Sequence, residues 1–118
     1  MRILFFLLVP FFANAQLIGQ TLHDDGSIES IGPVKKGTPV GKWQWFHENG
    51  ALIREGNYYK GFEHGLWKEF FPNEVLKSEG YYDKGKKIGI WKHYSNMGVL
   101  LKEEIWEKGV LVGTQKRD

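Results

Sequence analysis

Residues 41–64 read GKWQWFHENGALIREGNYYKGFEH, and the chain then writes this stretch out twice more. Residues 65–88 read GLWKEFFPNEVLKSEGYYDKGKKI, and residues 89–112 read GIWKHYSNMGVLLKEEIWEKGVLV. Position by position the columns align without a gap. Gly41, Gly65 and Gly89 open the units; Trp43, Trp67 and Trp91 follow; then Phe46, Phe70 and Tyr94; Leu52, Leu76 and Leu100; Glu55, Glu79 and Glu103; Tyr58, Tyr82 and Trp106; and Gly61, Gly85 and Gly109. Gly50 and Gly98 share a column, as do Gly56 and Gly80. A fixed period of this length marks a repeat protein, in which each unit buries its apolar face only by stacking on its neighbours.

Working outward, residues 17–40 form a weaker copy. Gly26, Ile28, Gly32, Val34 and Gly37 keep the columns, but the tryptophan is missing and Pro33 and Pro39 enter. A degenerate terminal unit suits a cap, since the end of a stack has no neighbour to match. From Val110 the chain begins another copy, which stops in a polar end at Thr114 to Asp118. Residues 16–118 therefore read as one repeat domain: a cap at 17–40, three units at 41–64, 65–88 and 89–112, and a tail at 113–118.

Within a unit, two runs of aromatic and branched residues flank Asn49-Gly50. Asn-Gly between such runs predicts a β-hairpin closed by a two-residue type I′ turn. Counting outward pairs Gln44 with Glu55 and Trp43 with Gly56, and in later units Lys68 with Glu79 and Lys92 with Glu103. Opposite charges placed this way contribute roughly 0.2–1 kcal/mol per pair. The same count lays Trp43 over Gly56 and Trp67 over Gly80, and leaves Glu104 opposite Trp91. The glycine-bounded stretches 61–65 and 85–89 read as the loops joining one hairpin to the next. The expected fold is all-β: a single-layer, twisted antiparallel sheet of about eight strands, with the Trp43, Trp67 and Trp91 column as its core.

Ahead of the repeats, Met1-Arg2, an apolar run from Ile3 to Phe12 and Ala13-Asn14-Ala15 have the layout of a secretory signal peptide. Ten apolar residues fall well short of the ~20 that cross a bilayer as a helix. Cleavage is expected after Ala15, which makes the mature protein periplasmic or secreted. The alternative is that the apolar run is a strand of the domain.

The unit resembles the MORN repeat, closest to the 24-residue variant of bacterial proteins named after the YwqK antitoxin. Gly41-Lys42-Trp43, Glu48-Asn49-Gly50, Leu52, Glu55-Gly56, Tyr58, Gly61, Gly65-Leu66-Trp67-Lys68 and residues 85–92 carry the likeness. It implies a β-hairpin solenoid acting as a scaffold or binding surface, with no catalytic residues to transfer. MORN repeats elsewhere are linked to protein assembly and to phospholipid contact. The antitoxin name implies a third role, immunity, by family analogy alone.

Composition bounds the chemistry. The 118 residues include 16 Lys and Arg against 14 Asp and Glu, 15 Gly, five Trp and no Cys. A net charge of +2 makes no electrostatic case for nucleic acid. Without cysteine there is no disulfide, thiolate zinc site or thiol nucleophile. His23 and His47 share a column but lack a third ligand, so no metal site is expected. Glu55, Glu79 and Glu103 form a symmetric ladder, whereas acid–base chemistry needs two carboxylates in unlike environments. Residues 85–89 lack the Gly-Lys-Ser/Thr of a phosphate loop. No enzyme and no cofactor are expected.

A single-layer sheet cannot bury both faces, and exposed apolar area marks interaction sites. Trp45, Phe46, Tyr59, Phe62, Phe70 and Tyr94, with Lys86 and Lys87, are the candidate surface. The leading expectation is a protein partner bound through a sheet face or edge. The alternative is a cell-envelope glycan or anionic lipid held by the aromatic columns.

Overall fold

The computed structural model describes residues 4–9 and 16–117, and the expected cleavage site at 13–15 lies outside them. Among the described residues strands account for all the regular structure: β1 Leu4–Val9, β2 Gln16–Leu22, β3 Ile28–Lys35, β4 Thr38–Pro39, β5 Gly41–Phe46, β6 Leu52–Tyr59, β7 Phe62–Phe70, β8 Leu76–Asp83, β9 Lys86–Tyr94, β10 Leu100–Glu107 and β11 Val110–Lys116. Ten of them follow one another in a single open antiparallel sheet, with the two-residue β4 paired to β3 beside β5. Part of the expected leader joins this sheet, because β1 pairs with β2 from Leu4 opposite Thr21 to Val9 opposite Gln16.

The turns differ from their expected types. At Asn49-Gly50 the Gly50 N–H donates to His47 O at 2.8 Å, and His47 N–H donates to Ala51 O at 2.8 Å. Gly50 has φ +89°, while Glu48 and Asn49 stay at negative φ. This is a type I turn closed by a left-handed glycine, not the two-residue type I′ loop. Asn49 serves through its side chain, whose Oδ1 accepts the Ala51 N–H at 2.8 Å. The type I′ turns lie instead at the other ends of the strands. Lys36-Gly37, Lys60-Gly61, Lys84-Gly85 and Lys108-Gly109 have φ near +50° at each lysine and near +80° at each glycine. Stretches 61–65 and 85–89 are therefore not loops: each belongs largely to a strand, and Gly65 and Gly89 are left-handed bulge residues within β7 and β9.

Register survives this exchange through a compensation. Phe46 pairs with Leu52, one residue off the expected count, and the extra residue Ile53 restores Trp45 opposite Arg54, Gln44 opposite Glu55 and Trp43 opposite Gly56. The same bulge recurs at Lys77 and Leu101. Lys68 consequently faces Glu79, and Lys92 faces Glu103, as expected.

The core is the tryptophan column. Trp43, Trp67 and Trp91 are only 5%, 2% and 4% exposed. Each indole covers the glycine of the strand before it, which corrects the expected seating within one hairpin. Trp43 covers Gly32, Trp67 covers Gly56 and Trp91 covers Gly80; a Cβ on these glycines would sit 2.0–2.4 Å from a ring atom. Each indole N–H donates to a backbone carbonyl ten residues back: Pro33 at 2.9 Å, Asn57 at 3.1 Å and Tyr81 at 3.2 Å. Bulk and polar atom are satisfied together, so the tryptophans bind successive units to one another.

Candidate interaction surfaces

Two faces and one edge follow from this register. On the tryptophan face the buried indoles alternate with tyrosines. Trp43–Tyr58, Tyr58–Trp67, Trp67–Tyr82 and Tyr82–Trp91 meet edge to face, with centroids 5.1–6.3 Å apart and planes at 77–87°. Burial pushes the Tyr58 and Tyr82 phenols above their ordinary value, while the nearby Arg54 charge pulls the other way. The Arg54 guanidinium lies 4.3 Å from the Trp67 centroid and 4.8 Å from that of Trp45. Lys87 Nζ sits 4.6 Å from Trp91 and 4.7 Å from Trp106. Lys86, Lys87 and Lys108 surround Trp106 in an open groove of about 450 Å³.

Where the ladder stops, chemistry replaces packing. Position 104 is a glycine column, and the residue that would cover it is Gln115 rather than tryptophan. Glu104 occupies the vacated space and its Oε1 accepts a hydrogen bond from His93 Nε2 at 2.5 Å. Burial by itself would raise the Glu104 pKa. The bonds from His93 and Trp106 and the Lys102 charge outweigh it, and the carboxyl lies below its ordinary value. Strand β11 has also slipped. Its bulge holds one extra residue, Val112, whereas β7 holds two extra residues against β6. A one-residue difference exchanges the faces of a strand. Gln115 thus pairs with Glu103 on the opposite face, and β11 contributes nothing to the indole core.

The opposite face carries two parallel rows. One is charged and runs Gln44, Glu55, Lys68, Glu79, Lys92, Glu103, Gln115 across the strands. The other is apolar: Leu66 opposite Tyr81, then Ile90 opposite Ile105, at 37%, 52%, 52% and 47% exposure. Sequence reasoning missed this apolar row. Parity signals it, since residues adjacent to the buried tryptophans must point the other way. The edge is β11, where Val110, Leu111 and Val112 are all exposed and an open groove of about 630 Å³ runs from Val110 and Val112 to Ile88 and Trp106.

The eight candidate surface residues are dispersed. Trp45 is half-buried on the tryptophan face under Arg54. Phe46, Phe70 and Tyr94 are half-buried at the type I turn ends. Tyr59 and Phe62 are exposed and pair across the Lys60-Gly61 turn. Lys86 is exposed and Lys87 half-buried, and the two line one groove. His23 Nε2 bonds to Phe46 O at 2.8 Å, and among the described residues no three metal-type ligands gather.

No curated protein matches the chain. Residues 39–60 and 63–84 match the MORN repeat variant, and these spans contain Trp43, Gly56, Trp67 and Gly80 of the indole ladder. The chain thus carries two MORN-variant repeats at residues 39–60 and 63–84, and the same hairpin schedule continues to either side of them.

Proposed function

We propose that the chain is an exported, non-enzymatic scaffold that takes up another protein by strand addition along β11. MORN repeats in general are protein- or membrane-interaction modules. The observation that carries the proposal is the β11 edge itself. Seven residues long, it exposes Val110, Leu111 and Val112 to 61%, 45% and 52% and borders an apolar groove. Open edges offer unpaired backbone groups as a template, and adjoining pockets read alternate side chains of the incoming strand. A photocrosslinker at position 112, activated in the native envelope, is expected to capture one partner, and Val110→Lys is expected to abolish the capture. An edge that crosslinks to no envelope protein overturns the proposal.

A second reading rests on the groove of Lys86, Lys87 and Lys108 around Trp106, which suits an anionic lipid headgroup or an acidic glycan. Tryptophan fluorescence that shifts with anionic vesicles or peptidoglycan fragments supports it. An unchanged spectrum removes it.

A further inference from the structure

We propose that the charged face is an interface between two copies of this chain, related by a twofold axis that runs parallel to the strands between β8 and β9. The order of the charges carries this. Read along the sheet, four consecutive strands present Lys68, Glu79, Lys92 and Glu103. Such an axis reverses strand order and keeps position along the strand. Lys68 then meets Glu103 of the second copy, and Glu79 meets its Lys92. All four positions meet the opposite sign, and the same operation repeats each pair.

The apolar row obeys the same operation. Leu66 falls on Ile105 of the second copy, and Tyr81, which pairs with Ile88 within its own chain, falls at the β9 bulge that carries Ile90, so apolar meets apolar beside the charges. Two sheets packed face to face lie about 10 Å apart, within reach of these side chains. Among the described residues, Lys68, Glu79 and Lys92 close no ion pair within 4.0 Å inside the chain, although the register places them opposite partners of the right sign. Glu103 gives Oε1 to Arg117 at 2.8 Å and keeps its second oxygen. A patch four strands wide at ~4.8 Å and roughly eight residues long at ~3.3 Å measures about 500 Å² in projection. That approaches the ~800 Å² of accessible surface per partner in a standard interface.

This surface is separate from the β11 edge, and charge exchange tests it. Sedimentation of the purified protein is expected to show a concentration-dependent dimer. Lys92→Glu and Glu79→Lys each place like charges together twice and are expected to weaken association at least ~10-fold. Mixed in equal amounts, the two variants are expected to recover a heterodimer, because each supplies the sign the other lacks. A second measurement needs no variant: a zero-length carbodiimide crosslink between Lys68 and Glu103. Within one chain these residues stand three strands, about 14 Å, apart, so that link forms only between copies. A monomer at all concentrations overturns the proposal. So does a dimer that neither exchange weakens, or one lost only on Val112→Lys, which is edge pairing.

Discussion

The Trp67 indole lies flat on Gly56 of the neighbouring strand, and its Nε1–H reaches the Asn57 carbonyl at 3.1 Å. A Cβ at Gly56 would stand 2.0 Å from Trp67 Cδ2. Gly56→Ala therefore displaces Trp67, only 2% exposed, and is expected to cost about 3 kcal/mol by urea denaturation. Gly113→Ala is the control. Its Cβ would meet Ile105 Cδ1 at an ordinary 3.6 Å, and stability is expected to change by less than about 0.5 kcal/mol. Equal losses at the two sites would refute the indole seat.

Glu74 has φ +72° where Gly26, Gly50 and Gly98 occupy the equivalent turns. A side chain in the left-handed region costs on the order of 1–2 kcal/mol, partly offset by the greater freedom of glycine in the unfolded chain. Glu74→Gly is expected to stabilise the protein by about 0.5–1 kcal/mol. A thermal midpoint that does not rise by a few degrees contradicts this.

The Glu104 carboxyl has a folded pKa below its ordinary value of 4.5, so its contribution to stability has a definite sign. Above the ordinary value the ionised carboxylate in its bond with His93 stabilises the fold in full. As pH falls from 4.5 through the lower folded value, that contribution is lost. Urea midpoints between neutral pH and pH 3 are expected to drop more steeply for the wild type than for Glu104→Gln. Parallel curves would show that this carboxyl is not responsible.

Protein recovered from outside the cytoplasm is expected to begin at Gln16, as read by N-terminal mass spectrometry. The outermost indole seat, that of Trp43, lies over Gly19 of β2 and Gly32 of β3 and bonds to Pro33 O of β3. A chain starting at Gln16 is therefore expected to keep the near-ultraviolet circular dichroism of the tryptophan ladder. Loss of that signal would make β1 part of the fold.

Much of this architecture is legible in the residues. The 24-residue schedule, the hairpins, the tryptophan core and the Lys68–Glu79 and Lys92–Glu103 pairings follow from period and parity alone. Register was recoverable despite the wrong turn at Asn49-Gly50, because the loop and the Ile53 bulge shift it by one residue in opposite senses. The apolar row at Leu66, Tyr81, Ile90 and Ile105 was equally implied by parity. It is less visible in the columns because the first unit has Lys42 and Asn57 at the same positions.

What the sequence by itself determined is the unit: its length, its two strands, and the side chains each strand can bury. Tertiary structure alone decided how units join. Lys60-Gly61 and Lys84-Gly85 take the type I′ geometry that local preference assigns to Asn-Gly, in turns that stack on one another. Gly85 N–H bonds to Glu63 O at 3.0 Å, and Gly109 N–H bonds to Lys87 O at 2.9 Å. An indole likewise seats on the glycine of the unit before it, where that glycine and the carbonyl of the next residue lie under the ring. Both choices depend on atoms of a neighbouring repeat, and the geometry between repeats arises only when they pack.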